Sequence, residues 1–230
     1  MLSLHPVTWV KMDFRPSHFF LRVFLLSALG FAISAAAQPP TKLGSSSKAP
    51  ARRAAAPDSG SIQADGAYRN PFFGFSYKVP FGWVDRTESM QEGSEPGESA
   101  VLLAAFERPP EAPGDSINSA VVIAAERASS YPGLKSAADY FDPLTELATS
   151  KGFKVENEAY QFAMGTRQLV RGDFSKQTGS LTMRQSSLVM LEKGYAVSFT
   201  FIAGSEDEAS ELIEKLSFKP EPQHPAGTRK

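Results

Sequence analysis

The stretch "FGFSYKVPFGW", residues 73–83, decides how the chain is read. Seven of its eleven residues are aromatic or glycine, a composition that suits either an aromatic ligand platform or the opening strand of a core. Tyr68 to Val79 alternates imperfectly and is rich in aromatics, which fits a strand. Pro80 cannot donate to a sheet ladder and ends it. Gly82 lets the chain turn, and Trp83 folds back with a large apolar body. Phe75, Tyr77, Pro80 and Trp83 therefore read as a strand, its end and a core plug. Aromatics at strand spacing are core by default, and Trp83→Ala is expected to cost about 3–5 kcal/mol.

Outward from this stretch, the N-terminus reads as an address. Residues 23–37, "VFLLSALGFAISAAA", follow Lys11, Arg15 and Arg22 and end in small residues. A basic region, an apolar stretch and an A-x-A site make a secretory signal peptide. Cleavage is expected after Ala37, with Ala35 and Ala37 as the small residues recognised and Gln38 as the new N-terminus; Met12 offers an alternative start. The apolar stretch is shorter than the roughly 20 residues of a spanning helix, so no membrane span is expected after cleavage. Removing residues 1–37 takes away three basic residues and one acidic residue, which moves the formal charge from −1 to −3. Residues 38–66 are dominated by Pro, Ser, Ala and Gly, cannot bury enough surface to offset chain entropy, and read as a disordered linker. Residues 221–230 read as a disordered tail by the same argument, which leaves a globular domain at 67–220.

Within that domain, "VLLAAFE" (101–107) and "SAVVIAAER" (119–127) are short apolar runs separated by a Pro-rich loop, as buried strands are. "SAADYFDPLTELATSKG" (136–152) carries a helical face of Tyr140, Leu144 and Leu147, with Asp142 as the expected N-cap, Pro143 at the first helical position and a stop at Gly152. Four more strands follow, the cleanest being "YAVSFTFIA" (195–203), with Tyr195, Val197, Phe199 and Phe201 on one side. "SEDEASELIEKLSF" (205–218) opens with the capping-box pair Ser205 and Glu208 and buries Leu212, Ile213 and Leu216. The element order β-β-β-α-β-β-β-β-α, with short turns between consecutive strands, is that of an α+β fold, an antiparallel sheet with helices packed on it.

Two segments carry a family resemblance. "YRNPFFGFSYKVPFGW" (68–83) resembles the opening of the PsbP-like fold, and "FIAGSEDEASELIEKLSF" (201–218) resembles its close. The resemblance spans about 150 residues on few, structural motifs, and implies a PsbP-like α/β sandwich. The family holds an extrinsic photosystem subunit, a nuclear Ran-binding factor and exported bacterial proteins of unassigned role, and implies mostly non-enzymatic accessory or binding work. It transfers no functional residue, because fold does not fix function.

The chemistry of the side chains excludes several classes. The chain has no cysteine, and its three histidines, His5, His18 and His224, all lie outside the expected domain. Thiol chemistry and a Ser-His-Asp triad are therefore closed to the domain. Ser45 and Lys48 match S-x-x-K but lie in the linker, where nothing would hold a nucleophile in place. Asp85, Glu88, Glu92, Glu95 and Glu98 cluster in one loop without the register of a calcium loop. Arg171-Gly172-Asp173 spells a known adhesion tripeptide but sits inside a strand pattern, where Gly172 reads as a bulge. A formal charge of −1 gives no footprint for nucleic acid.

No catalytic, cofactor-binding or metal-binding residue is nominated, and no cofactor is expected. The sequence describes an exported, periplasmic or secreted, non-enzymatic binding or accessory module of the bacterial cell envelope, whose partner is an unknown protein or envelope polymer. The alternatives are a carboxylate- or lysine-dependent hydrolase or transferase acting on an envelope substrate, and a structural component of an envelope assembly.

Overall fold

The strand that organises the molecule is the one with the cleanest alternation. Tyr195–Ala203 is buried along its whole length, and its two faces feed two different cores. Tyr195, Val197, Phe199 and Phe201 enter one apolar cluster, and Ala196 enters another. The structure is a computed structural model that describes residue 57 and residues 60–91, 99–109, 111–112 and 114–218. The expected leader, its cleavage residues Ala35, Ala37 and Gln38, the Ser45/Lys48 pair and the C-terminal tail lie outside the described residues.

In chain order the strands are β1 (Ser61–Ile62), β2 (Ala67–Asn70), β3 (Phe75–Lys78) and β4 (Val84–Asp85). A short helix α1 (Thr87–Gln91), β5 (Ser99–Phe106), β6 (Ala120–Arg127) and a 3₁₀ turn (Ala128–Ser130) follow. Then come helix α2 (Phe141–Ser150), β7 (Lys154–Met164), β8 (Arg167–Thr178), β9 (Leu181–Glu192) and β10 (Tyr195–Ala203), and finally helix α3 (Glu206–Glu214) and β11 (Leu216–Phe218). Seven strands form one antiparallel sheet in the order β4-β5-β6-β10-β9-β8-β7, and four form a second in the order β1-β2-β3-β11. The small sheet and α3 cover one face of the large sheet, around Phe75, Tyr77, Leu188, Phe199, Phe201, Leu212 and Ile213. Helix α2 covers part of the other face through Phe141, Leu144 and Leu147, which meet Val170, Phe174 and Val189. The rest of that face packs Met90 of α1 against Val101, Phe106 and Val122. This is the expected α+β class, with the expected elements in the expected order and several short ones between them.

The differences have local causes. Tyr68 to Val79 is a hairpin of β2 and β3, not one strand. Asn70 turns the chain: its side-chain oxygen accepts from the Phe73 amide at 2.9 Å, and its carbonyl accepts from the Gly74 amide at 2.9 Å. Pro71 cannot continue the ladder, and Gly74 sits at φ +74°. Ser61 and Ile62, inside the stretch read as linker, pair with Arg69 and Tyr68. Trp83 is only half-buried at the rim of the core, and Phe81 is fully exposed. The core plug is instead Phe73, Phe75 and Tyr77, each at most 1% exposed.

Helix α2 begins at Phe141, one residue before Asp142, with Tyr140 at the cap and no side-chain cap bond. Pro143 still falls in the first turn, where its missing amide has no intrahelical partner to lose. The helix ends as expected, with Gly152 at φ +84° beyond the Lys151 cap. Ser205 caps α3 as expected, accepting from the Glu208 amide at 3.1 Å. That helix stops at Glu214, and Leu216–Phe218 becomes a strand because Leu216 and Phe218 align with Tyr77 and Phe75 of β3.

Candidate functional site: a cleft beside an edge strand

Strand β7 closes one end of the large sheet, and among the described residues no strand pairs with its outer edge. Its first half is irregular. The register against β8 shifts between Val155 and Asn157 and again between Asn157 and Tyr160, so Glu158 and Ala159 together stand opposite Gly172. The bulge expected at Gly172 is therefore in the partner strand. What Gly172 supplies is space: a Cβ there would come within 2.6 Å of the Phe141 ring. The missing side chain lets the first residue of α2 lie against the sheet, and the bulge carries β7 away from it.

The result is a cleft of about 470 Å³ between α2 and β7, within the ~300–1,000 Å³ range of ligand pockets. Gly172 and Phe174 line it from the sheet side, Phe141 from α2, Val155 and Ala159 are contributed by β7, and Asp142, Thr145, Asn157 and Glu158 supply its polar groups. Asp142 and Glu158 are both exposed. The lining thus combines buried aromatic rings with two exposed carboxylates.

Behind β8 the chemistry is different. Arg171 and Asp173 point to the opposite face of the sheet from Gly172. The Arg171 Nε donates to Asp173 Oδ1 at 2.9 Å, and Ser186 Oγ donates to the same oxygen at 2.6 Å. Asn157 and Tyr160 reach the other Asp173 oxygen at 3.3 and 3.4 Å. Burial and the Asp173 charge raise the Tyr160 phenol above its ordinary value. The tripeptide is thus a strand segment whose two charges neutralise each other, not a loop tip offered to a receptor.

A third cluster is wholly internal. Tyr131 and Tyr140 both donate to Glu126 Oε2, the latter at 2.5 Å, with their rings edge-to-face at 5.1 Å. Burial first, and the Glu126 charge second, push the Tyr140 phenol well up. These bonds tie the approach to α2 onto β6, so they hold one wall of the cleft in place.

Of the acids singled out in the loop after Trp83, Asp85 and Glu88 are among the described residues. Asp85 caps the turn into α1 by accepting from the Thr87 amide and hydroxyl at 2.9 and 2.6 Å. Glu88 is exposed on α1, and Glu92, Glu95 and Glu98 lie outside the described residues. Among the described residues, no three His, Cys, Asp or Glu side chains are placed to hold a metal ion. Nor is any described helix long and apolar enough to cross a membrane.

No family model and no curated protein matches the chain. Solved structures do. It is similar to cyanobacterial PsbP (CyanoP) from Synechocystis sp. PCC 6803, at TM-score 0.44 and 15% identity over 70% of this chain and 96% of that one. It is similar to LpqN of Mycobacterium tuberculosis, described as involved in cell envelope biogenesis, at TM-score 0.34 and 13% identity over 64% and 83%. A protein from Bacteroides thetaiotaomicron VPI-5482 matches at TM-score 0.37 and 15% identity over 69% of this chain, which spans half of that structure's length. A PsbP protein is therefore among the solved structures this chain resembles, as the two sequence segments suggested. These are likenesses of fold, and they give no residue of the cleft a role.

Proposed function

We propose that the chain is an exported, non-enzymatic binding or accessory module of the bacterial cell envelope, and that it engages its partner at the cleft between α2 and β7. The leader at 1–37, cut after Ala37 to leave Gln38 first, would deliver it to the periplasm or the exterior. The observation that carries the binding role is the cleft itself. It has an apolar floor and an exposed acidic rim, and it lies beside a sheet edge that no described strand covers. The partner class is a protein or an envelope polymer.

The test is crosslinking in living cells with a C-terminally tagged full chain, beside the same chain carrying Ala159→Trp, which fills the cleft. One dominant crosslinked species, lost in the variant at unchanged protein level, is the expected result. The mature band should have the mass of a chain beginning at Gln38. A partner retained by Ala159→Trp would move the binding surface elsewhere, and a band of full precursor mass would remove the export step.

A further inference from the structure

The two halves of β7 differ. The N-terminal half holds both register shifts and the charges Lys154, Glu156 and Glu158. These are the devices that keep an edge strand from pairing with other chains. The C-terminal half has none of them. Tyr160 to Met164, "YQFAM", carries no charge and runs in unbroken register against Arg171 to Arg167. Two of the exposed large hydrophobic side chains, Val155 and Tyr160, lie on this strand, about 40% exposed. A regular, uncharged edge that no described strand covers is a template for one more strand. It leads directly into the bulged half, where the cleft opens.

We infer that β7 takes up an extended segment of a partner protein, paired along Tyr160–Met164, with a lysine or arginine side chain laid into the α2–β7 cleft. This rests on the cleft being the binding surface. The cationic end follows from the lining: two carboxylates, Asp142 and Glu158, and no cation among the described lining residues, with Phe141 and Phe174 to receive the aliphatic stem.

Three fluorescein-labelled peptides, TVTRTVT, TVTETVT and the same peptide with norleucine at the centre, test the inference against the full chain. Anisotropy should show the arginine peptide at least tenfold tighter than the glutamate peptide, with the difference shrinking as salt rises. Asp142→Lys with Glu158→Lys should reverse the preference. Asp142→Asn with Glu158→Gln should flatten it, with an unchanged melting curve showing that both pairs fold. Hydrogen exchange should slow within Tyr160–Met164 when the arginine peptide is bound.

Equal affinities, no binding of any peptide at millimolar concentration, or binding without protection of β7 would each overturn the inference. Self-association of the chain that protects the same segment would assign the edge to a second copy. Tighter peptide binding once Lys42, Lys48, Arg52 and Arg53 are changed to Gln in the full chain would assign the cleft to the chain's own linker. A cellular partner lost in Ala159→Trp, together with no arginine preference, would leave the binding role standing and remove only this inference. A partner retained by Ala159→Trp would remove the cleft reading itself.

Discussion

Phe75 carries more of the fold than its neighbour Trp83. Its ring meets Phe199 edge-on at 5.0 Å and Tyr68 at 5.9 Å, and it is 1% exposed. Phe75→Ala should cost about 3–5 kcal/mol, and Trp83→Ala distinctly less, because the indole is only partly buried, at the rim of the core. Urea melts of both variants check the order, and equal losses would restore Trp83 as the plug. Tyr77 is also fully buried, and its hydroxyl finds no hydrogen-bond partner among the described residues. Tyr77→Phe should therefore be neutral or stabilising, by up to roughly 1–3 kcal/mol; a clear loss of stability would mean that the hydroxyl has a partner after all. At Gly172 the sign is opposite. Gly172→Ala drives a methyl into the Phe141 ring and should destabilise by about 1–3 kcal/mol, displacing the start of α2 and weakening binding at the cleft.

Among the elements, those with a local signal were legible. The capping pair Ser205 and Glu208 set the start of α3, and Ser205→Ala should cost about 1 kcal/mol in a thermal melt. The alternation from Tyr195 to Ala203 fixed both faces of β10. The hairpin at Asn70–Pro71 also carried a local signal, a turn dipeptide followed by Gly74, which the run of aromatics masked. Other features had no local signal. Leu216–Phe218 continues the helical pattern and becomes a strand only because β3 lies alongside. The cleft depends on contacts between residues about thirty positions apart, Phe141 on Gly172, and on a bulge at Glu158–Ala159 that nothing in "VENEAY" announces. Arg171 and Asp173 were correctly read as strand residues, but the partner that anchors them both, Ser186, comes from the neighbouring strand β9.

At the scale of the whole molecule, the buried phenols set an alkaline limit. Burial raises Tyr77, and burial with the Glu126 charge raises Tyr140, above the ordinary value of 10.0. The unfolded phenols ionise first, so the folded state binds more protons above that pH. Their contribution is fully present below about pH 10 and is lost as pH rises beyond it, at up to ~1.4 kcal/mol per unit for each group. Melting temperatures between pH 8 and 11 should fall late and steeply, and less steeply in the Tyr77→Phe, Tyr140→Phe double variant; parallel curves would contradict the assignment. The fold class was legible because its two apolar layers are written as strand alternation and helix faces. The binding surface was not, because it is made of what those layers leave uncovered.

The measurement that bears most directly on the central claim is site-specific photocrosslinking in cells. A benzophenone amino acid at Thr145, inside the cleft, is compared with one at Lys78, exposed on β3 in the opposite layer. The account predicts one discrete adduct from position 145 and none from position 78. An adduct from 78 with none from 145 would contradict it.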